Sequence, residues 1–270
     1  MVSDTVASRG DDPAFMRPRG ADGVGRRFAA AWATGLRVAT QVRRDPRTIA
    51  LIIAVPCVLQ TLLKELFAGQ PQVFQHVGAP LLGLFPFVSM FVVTSVTMLR
   101  ERTSGTLERL MTMPLRKIDL LLGYAGAFAL LATIQATLVS LLAFGLLGLN
   151  VAGPQWAVVV LAVGNAILGM ALGLFVSAFA TTEFQAVQFM PAIVFPQILL
   201  CGLFVARDDM AVALQVVAYA LPLTYAYDAL ARATRPGPLG WWMVLDVAVV
   251  LGSTVAALGL GALTLRRRTP

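Results

Sequence analysis

Residues 118–144 read IDLLLGYAGAFALLATIQATLVSLLAF, a run of 27 residues in which Asp119 is the only charge. A helix needs about 20 predominantly apolar residues to cross the hydrocarbon core of a bilayer, and this run exceeds that length. A spanning helix closes its own backbone hydrogen bonds, whereas a membrane barrel is written in short alternating strands. Working outward, five further apolar runs meet the same requirement. The spans are placed near residues 48–67, 79–99, 118–148, 156–180, 185–205 and 240–264. Composition agrees: 58% of the 270 residues are hydrophobic and only 13% are charged, far outside the soluble average. The fold class is therefore an all-α integral membrane protein with six transmembrane helices. Pro56, Pro86, Pro191 and Pro196 fall inside four of these runs and predict kinks.

Orientation follows from Lys and Arg, which are retained on the cytoplasmic side when they sit in short loops. Nine Arg precede residue 48, five Lys or Arg lie between 100 and 117, and Arg266, Arg267 and Arg268 follow the last span. These are seventeen of the 21 cations, and an even number of spans with both termini cytoplasmic accommodates them. The net charge of +7 is then a property of a face lying on an anionic membrane, with no nucleic acid needed to explain it. Residues 1–25 are polar, rich in Gly, Pro and charge, and without the apolar core of a signal peptide. They are expected to be a disordered cytoplasmic tail, and residues 266–270 a short basic one.

Between them the chain divides into a helix over 26–47 and a membrane domain over 48–265. In the helix, Phe28, Trp32, Leu36, Ala39 and Val42 share one side while Arg26, Arg37 and Arg44 take the other. That pattern predicts an interfacial helix with its aromatic face in the acyl boundary and its arginines among headgroups. Loops near 68–78 and 149–155 carry no Lys or Arg, as external loops should. Residues 206–239 are half apolar, include Tyr219, Tyr225 and Tyr227, and predict short helices that lie at the outer interface or dip in and return. Gly169 and Gly173 form a GxxxG, and Ser253, Ala257 and Gly261 recur every four residues, spacing that lets helices approach closely. Cys57 and Cys201 lie in apolar runs without metal spacing and read as packing residues.

Much chemistry is excluded. A P-loop needs Gly-Lys followed by Ser or Thr, and the two lysines, Lys64 and Lys117, follow Leu63 and Arg116. His76 is the sole histidine, so HExxH zinc sites are impossible. No cluster of nucleophile and base at one depth suggests a membrane-embedded enzyme. Ionisable groups inside the spans are costly and are functional candidates by default. Asp246 is one; its bland reading is an interhelical hydrogen bond or an ion pair near the outer interface. Gln60, Gln135, Asn165 and Gln197 add neutral polar groups, of which Gln135 and Asn165 are candidates for a substrate path or for interhelical ties.

The longest inner interruption, RERTSGTLERLMTMPLRK at 100–117, carries seven charges. Ser104 and Thr106 can cap a new helix, Glu108 sits in its first turn where the dipole favours an anion, and Pro114 stops it. Leu107, Leu110 and Met111 share a face at helical spacing. The expected product is a short helix over about 104–113 with an apolar face toward a protein partner or the membrane surface.

The order of these residues resembles the E-x-x-x-G-T-x-E-x-L-x-x-x-P pattern after the second span of ABC-2 type permeases, with Glu101, Gly105, Thr106, Glu108, Leu110 and Pro114 on the matching positions. Six spans, the basic first helix, the inner turn ATTEFQ around Glu183 and the LPLTYAYDAL segment extend the likeness from about residue 26 onward. Met113 departs from a frequent Thr or Ser before the Pro and bears only on how the helix ends. Within that family the chain is most similar to daunorubicin-resistance-like exporters of drugs or lipids. The resemblance implies a permease subunit in a bacterial plasma membrane, paired with a second permease chain as homodimer or heterodimer. It implies a separate P-loop ATPase subunit that binds the ATP and Mg, so this chain has no cofactor and is not itself an enzyme. It makes 104–113 a coupling helix in which Leu107, Leu110 and Met111 enter a cleft of the ATPase, Glu101, Glu108 and Arg109 are polar partners, and Glu183 marks the second inner turn. Export of a polysaccharide and a non-transporting membrane anchor are the alternatives.

Overall fold

A computed structural model describes residues 22–106, 117–237 and 240–264, and within them every regular element is helical. Six segments are long and apolar enough to cross a membrane. A first helix, α1 (Asp22–Arg43), precedes them and starts four residues inside the stretch expected to be disordered. Expectations for residues 1–21, 107–116 and 265–270 lie outside the described residues.

The first span, α2 (Pro46–Leu66), opens with Asp45 as N-cap, its carboxylate accepting from the Thr48 amide, and with Pro46 in the first turn where a missing N–H costs nothing. It buries only a narrow stripe, Ile52, Pro56 and Gln60, at four-residue spacing. Its other apolar side chains, among them Leu51, Val58 and Leu66, are exposed. The second span, α3 (Pro71–Thr103), has 33 residues and so extends about 50 Å. Its start corrects the sequence reading, which placed 68–78 in an external loop. Pro71 begins the helix, and Phe74 and Gly78 are buried, so His76 lies on a helix. Gln75 ties this outer end to the next loop, donating to the Gly148 carbonyl (3.0 Å) and accepting from the Asn150 amide (2.6 Å).

The third span, α4 (Lys117–Gly145), and the fourth, α5 (Gln155–Val176), end earlier than the sequence suggests, at 145 and 176. The GxxxG of α5 works within the subunit. A Cβ on Gly169 would stand 2.2 Å from the Phe87 carbonyl oxygen, and one on Gly173 2.2 Å from Thr94 Oγ1 and 2.4 Å from the Phe91 carbonyl. Only hydrogen fits where α5 crosses α3, which makes α5 the centre of the bundle.

The fifth span is broken. α6 (Glu183–Phe189) passes through a π turn (Met190–Val194) into α7 (Phe195–Leu200). Pro191 and Pro196 each remove a backbone donor, and the Gln197 side chain donates to the Ile193 carbonyl at 3.2 Å. The outer segment forms α8 (Val212–Ala220) and α9 (Pro222–Ala233). At 12 residues α9 spans about 18 Å, too short to cross. Its Leu223 nonetheless joins one buried cluster with Phe87 on α3 and Val250, nine residues into α10 (Trp241–Thr264). The hairpin thus packs against the spanning helices through Leu223. In α10, Ala257 and Gly261 are buried.

Candidate functional site

The C-terminal end of α3 gathers side chains from three other helices. α1 comes close enough to reach it because a Cβ on Gly123 of α4 would stand 2.7 Å from the Ala31 carbonyl, so glycine there lets the two backbones approach. Thr34 and Val38 are buried by this contact, while Trp32 and Leu36 stay exposed as an apolar rim. The docking rotates Arg37 and Gln41 toward α3.

There they meet Glu101, which is 5% exposed. Its Oε2 accepts from Arg37 Nη2 (3.3 Å) and from the Tyr124 hydroxyl (2.8 Å), and its Oε1 accepts from Gln41 Nε2 (3.0 Å). Arg37 Nη2 also donates to the Tyr124 oxygen at 2.6 Å, and its guanidinium lies 5.9 Å from the centroid of that ring. A carboxylate so enclosed is stable only because each oxygen has a donor and a cation stands beside it. The sequence reading set Arg37 among headgroups and Glu101 as a polar partner of an ATPase. In the structure the two are bound to each other, because α1 packs on α4 through its Thr34 and Val38 face.

One residue earlier, Arg100 points the other way. Its Nε and Nη2 donate to the two carboxylate oxygens of Glu183 at 2.7 and 2.8 Å, a bidentate pair that fixes α3 to the start of α6. α6 itself is capped: the Gln185 amide donates to Thr182 Oγ1, and Gln185 Oε1 accepts from the Thr181 amide. α3 then ends at Ser104 and Gly105. Gly105 has φ +71, the left-handed cap that glycine adopts without steric cost. Thr106 Oγ1 lies 2.9 Å from Ser104 Oγ. The loop expected to meet a partner thus leaves a point held by α1, α4 and α6 together. Leu107, Glu108, Arg109, Leu110, Met111 and Pro114 lie outside the described residues.

Of the other candidates, none joins this node. Gln135 is buried and donates to the Ile52 carbonyl (2.7 Å), tying α4 to α2. Asp246 accepts from Arg232 Nε at 3.0 Å, an ion pair between α9 and α10. Asn165 is 3% exposed and faces a cavity of about 10 Å³ beside Pro80 and Tyr227, room for one water. Arg37, Gln41 and Tyr124 were missed by the sequence reading. The signal for them was Glu101 itself, a carboxylate continuing an apolar helix that requires a donor set nearby.

Beside this frame an apolar groove of about 680 Å³ runs between α2, α3 and the broken fifth span, lined by Leu51, Val55, Leu59, Phe85, Val88 and Phe204 among others. By contrast, Phe87 and Phe91 are fully buried and belong to the core.

Six spanning helices, with an amphipathic helix docked at one end of the bundle, define a multi-pass membrane protein. The ABC-2 type transporter family matches residues 30–233, and the chain belongs to that family. Among curated relatives, the probable multidrug ABC transporter permease YbhS of Escherichia coli strain K12 is 25% identical over 178 residues, 66% of this chain and 47% of that protein. The probable multidrug ABC transporter permease YbhR from the same organism is 28% identical over 150 residues, 55% of this chain and 40% of that protein. ABC transporter G family member 20 of Dictyostelium discoideum is 29% identical over 119 residues, 44% of this chain and 16% of that one. The chain spans about half the length of the first of these relatives.

Proposed function

We propose that the chain is the membrane-spanning permease subunit of an ATP-driven exporter in a bacterial plasma membrane. Both termini are cytoplasmic, and the chain works as one of a pair of permease chains with a separately encoded P-loop ATPase that binds ATP and Mg. Its cargo is a hydrophobic drug, antibiotic or lipid-like molecule taken from the inner leaflet or the cytoplasm. The observation that carries this reading is the node at Glu101, which makes the end of α3 a rigid attachment for the 104–116 loop.

In this mechanism Leu107, Leu110 and Met111 enter a cleft of the ATPase, with Glu108 and Arg109 at its rim. Closure of the ATPase pair displaces the loop. Because residues 100 and 101 of α3 are bonded to α6 and to α1 and α4, that displacement moves three elements at once instead of bending one loop. The proline-broken fifth span is the element able to change its bend, and a bundle with two packings differing in affinity for ATPase states is the bistable device required. Substrate enters the apolar groove between α2, α3 and α7.

The test is reconstitution of the chain with its ATPase in proteoliposomes loaded to follow a hydrophobic fluorescent dye. ATP-dependent movement of dye, lost when the ATPase is catalytically dead, is expected. Stable complex formation with no ATP-dependent movement of any hydrophobic cargo would replace the exporter by the membrane-anchor reading.

A further inference from the structure

The outer face holds a second, polar cleft of about 840 Å³, formed by the first turns of α3, the loop after α4, the segment after α7 and the second half of α9. Three guanidinium groups line it: Arg207, Arg232 and Arg235. Arg207 is held by Asp228 at 2.6 Å and lies against the Tyr219 ring, and Arg232 is held by Asp246 at 3.0 Å. Arg235 is exposed and has no ion pair among the described residues. His76 and Gln72, both exposed, project from α3 into the same cleft. Asp208 also lines it, so the cleft is a mixed polar site with one uncommitted arginine.

This cleft adjoins the apolar groove. Leu203 and Phe204 line both, immediately after the fifth span. Along α3 the groove extends from Leu81 to Val93, about 18 Å at the helical rise, which exceeds the roughly 15 Å hydrocarbon depth of one leaflet. An apolar chain of leaflet length fits the groove, and the polar cleft lies at its outer end. An arginine without a carboxylate partner, in a cleft also lined by an imidazole and an amide, suits a phosphate ester.

We propose that groove and cleft are the two halves of one site for an amphiphile with a phosphate-bearing headgroup. The chain lies between α2, α3 and α7, and the phosphate is held by Arg235 with His76 and Gln72, with Phe204 at the boundary. The proposal deepens the exporter reading and takes from it only the direction of travel. Binding is measured without an ATPase, so failure here would leave the exporter reading to its own transport assay.

The experiment uses the full chain in a neutral detergent and compares palmitoyl lysophosphatidic acid with monopalmitoylglycerol, which differ by the phosphate alone, by native mass spectrometry. The phosphorylated lipid should bind about tenfold more tightly, with inorganic phosphate unable to compete. Arg235→Ala, on the exposed outer loop, should reduce that preference to about twofold or less while leaving the neutral lipid unaffected. Leu51→Trp, at an exposed position lining the groove, should weaken both lipids by about fivefold or more. Equal affinity for the two lipids, a preference that survives Arg235→Ala, competition by inorganic phosphate, or indifference to Leu51→Trp would each overturn the site. Indifference to Leu51→Trp would assign the groove to a second copy or to bulk lipid.

Discussion

Replacing Glu101 by Gln, with Arg37 left in place, removes the anion from the node while conserving its shape. The Arg37 side chain is 36% exposed and the Glu101 side chain 6%, so the stranded guanidinium recovers part of its hydration. Losing one member of a fully buried pair costs about 3–5 kcal/mol and an exposed pair under about 1 kcal/mol. With one partner buried and the other partly wet, Glu101→Gln should cost about 2–3 kcal/mol. Arg37→Met strands the carboxylate instead, though Tyr124 and Gln41 still donate to it, and should cost about 2 kcal/mol. The double variant leaves no unpaired charge, so its loss should fall short of the sum by about 1–2 kcal/mol. Reversible unfolding of the four proteins in mixed micelles measures the cycle. Additivity within about 0.5 kcal/mol would refute the coupling of α1 to α3 through this pair.

Four further outcomes are expected. Gly173→Ala places a methyl 2.4 Å from the Phe91 carbonyl and should lower stability by about 1–3 kcal/mol, whereas Gly126→Ala, with open space around it, should be near neutral; thermal unfolding in detergent separates them. The exposed Arg100–Glu183 pair should contribute under about 1 kcal/mol and lose it at high salt, which unfolding of Glu183→Gln at low and high ionic strength checks. Hydrogen bonds from Thr48 hold the Asp45 carboxyl below the usual carboxylate range. A folded value below the unfolded one stabilises above the unfolded pKa and is lost as pH falls through the folded pKa, so Asp45→Asn should flatten the acid limb of the stability profile. Cys201, 1% exposed, should resist alkylation at neutral pH in the folded protein, as followed by mass of the labelled chain.

Runs such as 118–144 announce themselves because every residue of a spanning helix meets the same solvent, so the six spans and the helical class were legible by counting. Ends of helices were less so. The sequence PQVFQHVG at 71–78 looks like a loop by its polarity, yet Phe74 and Gly78 are buried and Gln75 is tied to the neighbouring loop, contacts that depend on what lies beside them in space. The glycines of α5 were read as packing residues, and only the fold shows that their partner is α3 of the same chain. For the node, the E-x-x-x-G-T order singled out Glu101 and Gly105, and the φ of Gly105 supplies a physical reason for one of them. The partners of Glu101 could not be read from spacing. Arg37 and Tyr124 stand 64 and 23 residues away, and helical periodicity placed Arg37 on the polar face without showing that this face turns toward α3.

The central claim is that force from an ATPase enters at the loop that leaves this node. Its most direct measurement is ATP hydrolysis by the partner ATPase, with and without the permease chain in proteoliposomes, for the native chain and for Leu107→Asp and Gly105→Asp. Native chain should stimulate hydrolysis, and both variants should lose that stimulation and co-purification while keeping the thermal unfolding transition of the bundle. Undiminished stimulation by both variants would contradict the coupling role of residues 104–113.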